Sequence, residues 1–335
     1  MLRNAAGAFL VIALIAPAFP HRHTRRTALL ARSMRAALAC AALLLPAATL
    51  AQSPMRIVVP AEAGTAWDRA GRALGAALLS VKAATRVEYA NRGGAGGTQA
   101  LAGFLQSAKD DPDTLFVAGQ DLVIAAELDA TAPRLQDAAP LARLAVSHFA
   151  VFVPASSPHR SMADLARAFK ADPAAVAWDA GASGSAGHLL VAYLAKTVGA
   201  NPAKVRLAAS PQAASAGVGR LRDVVEAVKS GRVRALAVTS PAATGGIASL
   251  KEQGINVVFA HWHGLFAAPG LRPSQRDELL AKVKAALETP GWKALLAAEG
   301  WTPVWLQGSD YARFLDEETR SLNYLARSVG LNPRR

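Results

Sequence analysis

The sequence predicts an α/β protein of two lobes, with mainly parallel sheets and a central cleft. Short apolar runs alternate with amphipathic helical patterns, as in strands joined by crossover helices. The apolar runs form two successive series, and the chain returns from the second series at His261. We therefore expect two hinge crossings, near His148 and near His261. The first lobe would comprise residues 54–148 and 261–335, and the second lobe residues 149–260.

In the first series, three apolar runs of strand length are each followed by a helical pattern. The predicted strands are residues 55–60, 86–89 and 115–118. The predicted helices are residues 67–79, 98–108 and 121–128. Ligands of parallel sheets lie at the carboxyl ends of strands, so the strand-to-helix loops are the candidate sites.

The second series contains four runs of strand length and two clear helical patterns. The predicted strands are residues 148–154, 176–180, 205–208 and 233–238. The helices are residues 162–170, where Ser161 can cap the first turn, and residues 185–198. After the return of the chain at residues 261–269 we predict helices only, at residues 273–288, 291–299 and 309–329.

The first 51 residues contain two apolar runs. The second run, Ala36 to Leu45, follows two arginines and ends in small residues up to Ala51, which is the pattern of a secretory signal peptide. We expect translation to start at Met34, cleavage to follow Ala51, and the protein to reach the periplasm. The alternative is a membrane anchor at the first run, Ala5 to Phe19, which is short for a membrane span.

Composition argues against several classes of function. The formal charge is +13, but six arginines and no acidic residue lie in residues 1–51, which leaves +7 spread over the rest. Nucleic-acid binding usually needs a clustered basic patch, so we expect no nucleic-acid partner. The only cysteine, Cys40, lies in the predicted signal, so the exported chain would have no disulfide, no thiolate metal site and no cysteine nucleophile. We expect a monomer without a cofactor.

A glycine-rich loop between the second strand and its helix contains Gly94, Ala95, Gly96 and Gly97. Such a loop leaves backbone amides bare at the positive end of a helix, where an anion is favoured. It lacks the Gly-Lys-Ser/Thr of a P-loop, and Gln99 stands where a GxGxxG motif needs its last glycine. We predict half of a clamp for a small carboxylate, although glycines that only shape a tight turn would give the same pattern.

Three other strand-to-helix loops supply further candidates. After the first strand, Gly64 offers an amide and Thr65 a hydroxyl, while Asp68 can bind a ligand ammonium or simply favour the helix dipole. After the third strand, Gln120 is a better candidate than its neighbour Asp121. In the second lobe, small residues and hydroxyls at a helix N-terminus predict a second anion cradle. Its candidate residues are Ser183, Gly184, Ser185 and His188.

Catalysis and metal binding receive less support. Ser185 and His188 raise the alternative of a serine hydrolase, but the GxSxG elbow is absent and no third catalytic group is evident. His261 and His263 share one face of a predicted strand, Trp262 lies on the other, and no further metal ligand accompanies them. We predict no catalytic residue and no metal, and assign the histidines to lobe packing or cleft lining.

Several weak motifs occur in a fixed order along nearly all of residues 54–331. They are Ile57–Pro60 with Gly64 and Asp68, Asn91–Arg92 with Gly94–Gly97, Asp113–Leu115, Ser183–Ser185 with His188, Gly231 with Arg234–Ser240, and Trp262 with Gly264–Ala267. Together they resemble the extracytoplasmic solute receptors of tripartite tricarboxylate transporters, the Bug or TctC family.

The resemblance implies a type II-like periplasmic binding protein fold whose two lobes close on a small carboxylate. Candidate ligands are a di- or tricarboxylate, an acidic amino acid or a nicotinate-like compound. The loops matching residues 60–68 and 91–97 would hold the carboxylate, largely through backbone groups and water. No reaction would be catalysed, and the solute would pass to membrane transporter subunits.

Two departures from the family pattern bear on function. Thr65 stands where the family usually has a glycine. Only residues 209–216, which include Pro211, stand where the family has a further helix and strand, and this is too short for a parallel crossover. We expect a second lobe without that crossover helix and a cleft open on one side. A decayed or repurposed receptor that acts through a protein partner is therefore an alternative.

Overall fold

The computed structural model describes residues 54–334, in which ten strands and nine α-helices are joined by short loops and 3₁₀ turns. The expected signal peptide and the start at Met34 lie outside these residues. The strands are β1 (Met55–Val59), β2 (Val87–Asn91), β3 (Thr114–Gly119), β4 (Ala139–Pro154), β5 (Ala177–Asp179), β6 (Arg206–Leu207), β7 (Ala216–Arg220), β8 (Val233–Val238), β9 (Ala260–Ala267) and β10 (Thr302–Gln307). The helices are α1 (Ala66–Ser80), α2 (Thr98–Ser107), α3 (Gln120–Leu128), α4 (Met162–Ala171), α5 (Ala186–Val198), α6 (Leu221–Lys229), α7 (Pro273–Leu287), α8 (Pro290–Glu299) and α9 (Gly308–Ser328).

Two sheets share the long strand β4. In the first-lobe sheet the order is β2-β1-β3-β9-β4-β10, and in the second-lobe sheet it is β6-β5-β7-β4-β8. The pairing partner of β4 changes from β9 to β7 between His148 and Phe149. The predicted two-lobed α/β fold is confirmed, and β4 is the strand that carries the chain from one lobe to the other.

The pairing is mixed, which corrects the expectation of mainly parallel sheets. Among the named strands of residues 54–334, four pairings are parallel and five are antiparallel. The parallel pairings join strands that are followed by helices, as the alternating pattern predicts, except for β6, which is followed by a 3₁₀ turn. The antiparallel pairings all involve β4 or β9, because these strands carry the chain from one lobe to the other and back.

The prediction that only helices follow residue 269 is wrong. Residues Thr302–Gln307 form β10, which pairs antiparallel with β4 and changes register between Pro303 and Leu306. A proline near its start and this irregular pairing disguise the strand in the sequence, since β4 rather than local propensity holds it in place.

Thr239 ties the two crossings together. Its side chain is fully buried, and its hydroxyl accepts a hydrogen bond from the Phe149 amide at 2.9 Å and donates one to the Phe259 carbonyl at 2.6 Å. Its own amide donates to the Phe149 carbonyl at 2.9 Å, and its carbonyl accepts from the Phe259 amide at 3.1 Å. One residue therefore holds the outgoing and returning segments side by side.

Close packing of α1 on the first-lobe sheet places its N-terminus at the cleft. Leu74 and Leu78 on its inner face are buried in the main apolar core. A Cβ on Gly71 would lie 2.9 Å from Val59 Cγ2, so only a glycine lets the helix come this near to β1.

The connection between β6 and β7 in the second lobe is short, as the sequence predicts. Residues 208–215 connect β6 to β7 and contain a single 3₁₀ turn, Pro211–Ala213, with no α-helix. β6 and β7 lie on either side of β5, and both are parallel to it. The connection therefore passes the end of β5 without the usual covering helix.

Candidate functional site

A cavity of about 520 Å³ lies between the two lobes, which is within the usual size range of small-molecule sites. Its walls come from the strand-to-helix connections after β1, β2, β3 and β5, from β4, β7 and β9, and from the residue before β10. The lining residues are Pro60, Ala61, Thr65, Ala66, Trp67, Gly96, Asp121, Ser147, Phe149, Ala180, Gly181, Ser185, Ala186, Gly187, Val218, Arg220, His261, His263 and Trp301. Of the predicted ligand-binding residues, Thr65, Gly96 and Ser185 are among them.

The N-terminus of α1 opens onto this cleft from the first lobe. Thr65 is its N-cap, and the hydroxyl accepts a hydrogen bond from the Asp68 amide at 3.3 Å while donating to the Glu62 carbonyl at 2.8 Å. The next two amides, those of Ala66 and Trp67, have no partner within residues 54–334, as is usual in a first helical turn. Both residues line the cleft.

The N-terminus of α5 opens onto the same cleft from the second lobe. Ser185 is its N-cap, and the hydroxyl accepts from the His188 amide at 3.3 Å and donates to the Ala180 carbonyl at 2.9 Å. In the described chain, the amides of Ala186 and Gly187 are again left without a partner. A Cβ on Gly187 would lie 2.5 Å from the Ala180 oxygen, so glycine is required for this close approach.

Four bare amides, two from each lobe, thus line one cavity. Each helix N-terminus carries roughly half a positive charge, because its first N–H groups point outwards without acceptors. Backbone amides at helix N-termini bind carboxylates and phosphates readily. The arrangement offers donors to an anion from both sides of the cleft.

The glycine-rich loop contributes shape more than contacts. Gly94, Gly96 and Gly97 have φ of +103°, +65° and +93°, and Ala95 adopts +46°. A Cβ on Gly96 would lie 2.5 Å from the Ala125 Cβ, so the loop packs tightly against α3. Gly96 lines the cleft, whereas Gly94, Ala95 and Gly97 do not, and the Gly97 amide donates to the Gly94 carbonyl at 2.9 Å.

Asp68 lies behind the cleft wall and holds the first loop. Its carboxylate accepts hydrogen bonds from the Gly64 amide at 2.8 Å, from Asn91 Nδ2 at 2.9 Å and from Arg72 Nε at 3.0 Å. Burial alone would raise the pKa of Asp68, but these three donors outweigh it and lower the pKa below its usual value. Gly64 and Asp68 are outside the cavity lining, and the described contacts of Asp68 support a structural role.

The remaining predicted residues also lie outside the lining. Gln120 is buried and donates to the Ala260 carbonyl at 3.3 Å and to Glu318 at 2.7 Å. His188 accepts the Gly184 amide through Nδ1 at 3.1 Å, and burial lowers the pKa of this imidazole. Ser183 is exposed next to this turn. The Ser185 hydroxyl and the His188 ring make no hydrogen bond to each other, which removes the geometry that a hydrolase pair would need.

A polar and aromatic wall completes the cleft. His261 Nε2 lies 2.9 Å from Asp121 Oδ2, and the His263 ring stands 5.0 Å from that of His261 and stacks on Trp301 at 3.8 Å. Burial would raise the pKa of Asp121, but the charge and hydrogen bond of His261 lower it. Burial, reinforced by His261, puts the pKa of His263 well below its usual value. Both ring nitrogens of His263 lack a partner in residues 54–334.

Sequence reasoning found the histidines but missed Asp121 and Arg220. The alternation in β9 correctly placed His261 and His263 on the cleft face, and Trp262 on the other face, where it donates to Glu318 at 3.2 Å. Arg220 ends β7, and the rule that ligands lie at strand ends would have drawn attention to it. Asp121 was passed over for Gln120, its neighbour on α3.

Two negative findings apply to the described part of the chain. Residues 54–334 contain no group of three or more His, Cys, Asp or Glu side chains that could hold a metal ion. None of the helices described in this range is long and apolar enough to cross a membrane.

Three known proteins are similar to this chain. A curated relative, the UPF0065 protein in the gbd 5′ region of Cupriavidus necator, is 25% identical over 291 residues, covering 84% of this chain and 88% of the relative. A TctC solute binding protein from Polaromonas has a TM-score of 0.69 at 22% identity, over 82% of this chain and 98% of its own. Rpa4515 of R. palustris, solved with adipate, has a TM-score of 0.67 at 21% identity, over 84% and 98%.

At these identities the solved structures show a shared fold, and the family is shown by the sequence itself. Residues 75–331 match the sequence model of the tripartite tricarboxylate transporter family receptor, TctC. Proteins of this family bind solutes and are not enzymes. The chain therefore belongs to the TctC family of tripartite tricarboxylate transporter receptors.

Proposed function

We propose that this protein is a periplasmic receptor that captures a small carboxylate between its lobes and delivers it to the membrane subunits of a tripartite tricarboxylate-type transporter. The observation that carries the proposal is the convergence of the α1 and α5 N-termini on one cavity, with four amides free to donate. A carboxylate would accept from amides of both lobes at once, so its binding would favour the closed arrangement.

The comparisons support the same ligand class. The R. palustris structure of the same fold was solved with adipate, a carboxylate. Receptors of the TctC family are periplasmic, which agrees with the signal peptide expected in residues 1–51. If that signal is cut as predicted, mass spectrometry of the protein from a periplasmic extract will find Gln52 at the N-terminus. An N-terminus upstream of Met34 would contradict the assigned start.

We further propose that the lobes comprise residues 54–148 with 261–335, and residues 149–260. The change of β4 from one sheet to the other between His148 and Phe149 supports the first boundary. Residues in that segment, in β9 and at Thr239 would act as the hinge, because they join the lobes and are held by hydrogen bonds from the backbone and the hydroxyl of Thr239.

Thermal unfolding against a panel of mono-, di- and tricarboxylates, amino acids and aromatic acids tests the proposal. A true ligand stabilises the folded protein by mass action, by about 2.7 kcal/mol at a hundredfold excess over Kd, which raises the midpoint by several degrees. A positive result should be confirmed by titration calorimetry. A folded protein that responds to no carboxylate would contradict the proposed function.

A matched pair of glycine variants tests whether the amides bind the ligand. Gly187→Ala places a methyl 2.5 Å from the Ala180 oxygen, which must displace the start of α5, so we expect at least a tenfold loss of affinity. Gly291→Ala is the control, because Gly291 is also the second residue of a helix, α8, and open space surrounds its Cβ position. Far-UV circular dichroism of both variants shows whether the fold is kept.

The shortened second lobe favours one alternative, a repurposed receptor that acts through a protein partner. The segment 208–215 leaves a groove of about 560 Å³ on this lobe, lined in part by Asp179, Gln212 and Val233. The same panel separates the two functions, because a receptor of this second kind would bind an envelope protein without responding to any carboxylate.

A further inference from the structure

The charged side chains in the cleft limit which ligands can bind more than the backbone amides do. Among the described residues that line the cavity, four have ionisable side chains, namely Asp121, Arg220, His261 and His263. The other lining residues are small, apolar or aromatic apart from Thr65, Ser147 and Ser185. The affinity of the cleft for a ligand with a second negative group therefore depends on those four side chains.

Asp121 is an anion fixed in place. It lies in the first turn of α3, and its Oδ2 is 2.9 Å from His261 Nε2, while its other oxygen accepts no hydrogen bond from residues 54–334. Its side chain is 52% exposed although the residue lies in the cleft, so the carboxylate faces the ligand space. Because His261 favours the ionised form, this carboxylate is charged at neutral pH.

Three other ionisable groups share this wall with Asp121. Arg220 is the one cationic arginine or lysine side chain of residues 54–334 on the cavity wall, and its Nε already donates to Asp223 at 2.9 Å. His263 is buried, neutral and stacked on Trp301, so it contributes no positive charge. His261 donates to one oxygen of Asp121 through Nε2 at 2.9 Å and is engaged there. A second carboxylate in this part of the cleft would meet the other oxygen of Asp121, an arginine whose Nε is bonded to Asp223, and a neutral ring.

We infer that Asp121 is a specificity-determining residue that excludes a second carboxylate, so that the ligand of this receptor is a monocarboxylate with an uncharged body. This inference rests on the proposed function. The single carboxylate binds the amides at the two helix N-termini. The uncharged body lies against the wall of Trp67, Phe149, Trp301 and His263, and a hydroxyl group on it can donate to the second oxygen of Asp121.

Two matched ligand pairs, titrated by calorimetry, test the inference. Hexanoate and adipate differ only in the second carboxylate on a six-carbon chain, and benzoate and terephthalate differ in the same way on a ring. We expect the monocarboxylate that binds to do so at least tenfold more tightly than its partner. Asp121→Asn should raise the affinity for the dicarboxylate about tenfold and leave that for the monocarboxylate within a factor of three.

Asp316→Asn is the matched control, because it removes the same charge from an exposed position on α9 outside the cavity lining. It should leave both affinities unchanged. If the wild-type protein prefers the dicarboxylate of a pair, the inference is overturned while the proposed function stands. If the two variants behave alike, the exclusion is not due to Asp121 and the assignment fails. If no carboxylate binds at all, the proposed function fails, and the inference with it.

Discussion

The two helix N-termini that face the cleft, one in each lobe, are built on the same five-residue frame. Residues 64–68 and residues 184–188 each begin with a glycine at φ +82° and continue with a hydroxyl N-cap. In both, the third helical residue uses its side chain to accept the amide of that glycine, through Asp68 at 2.8 Å and through His188 at 3.1 Å. The two lobes thus present their first-turn amides by the same geometry.

The frames differ in the chemistry of that third residue. Asp68 is an anion that also accepts from Asn91 and Arg72, so the first-lobe loop is tied to β2 and to the next turn of α1. His188 has the single bond from Gly184, and burial lowers its pKa, so it is a neutral acceptor. Both lobes thus keep the same frame at the cleft, while the charge behind each frame differs and makes the first-lobe loop firmer than the second-lobe loop.

Substitution of Asp68 and of His188, the third helical residue in each frame, should show this difference most strongly. Asp68 accepts from three donors, and an asparagine has only one oxygen, so in Asp68→Asn at least one donor faces an NH₂ group. We expect a loss of about 2–3 kcal/mol in unfolding free energy, the usual cost of breaking buried hydrogen bonds to a charged group. His188→Asn can still accept from Gly184, so its loss should be about 1 kcal/mol. Urea unfolding of both variants measures the two values.

Asp164→Asn provides the control for this pair. Asp164 is also a third helical residue that accepts amides, those of Arg160 and Ser161, but it lies exposed at the start of α4 and outside the cavity lining. Its loss should not exceed about 1 kcal/mol, and ligand affinity should not change. Equal losses for Asp68→Asn and His188→Asn would show that the two frames are equally firm.

Much of the fold could be predicted from the sequence because local patterns determine it. Period-two and helical patterns identified most elements up to β9, and the segment before β7 was visibly too short for a helix. β7, α6 and the first half of β4 were not predicted. β10 could not be predicted, because Thr302–Gln307 becomes a strand only through pairing with β4. The antiparallel pairings were missed for the same reason, since the sequence does not state which strands become neighbours.

The site was predicted at the level of loops and less well at the level of side chains. The loops before α1 and α5 were among the candidates, because glycines and hydroxyls before a helix mark a bare N-terminus. The glycine-rich loop, predicted as half of the clamp, contributes only Gly96 to the lining. Gln120 was preferred to Asp121, but Asp121 is the residue that lines the cleft. Successive residues of a helix point about 100° apart, so the exact start of α3 decides which of the two faces the cleft. Arg220 and Trp301 reach the cavity only through tertiary packing.

The pH dependence of stability offers a smaller effect that distinguishes the two frames. The pKa of His188 is lowered in the folded state, so the unfolded chain binds a proton more readily near the usual histidine value of about 6.5. The contribution of His188 is therefore complete above that pH and is lost as the pH falls below it. The pKa of Asp68 is lowered from a value of about 3.9, so its contribution is kept until the pH falls below about 4.

Between pH 6.5 and pH 5 we therefore expect the second-lobe frame to weaken while the first-lobe frame holds. Protonation of Nδ1 removes the acceptor for the Gly184 amide, a loss of about one hydrogen bond or 1 kcal/mol. Hydrogen exchange should show faster exchange at residues 184–187 than at residues 64–67 when the pH is lowered through this range. Other buried histidines also titrate, so the difference between wild type and His188→Asn isolates this one. If both proteins lose the same stability between pH 6.5 and pH 5, His188 is not the group responsible, and the two frames differ in sequence alone.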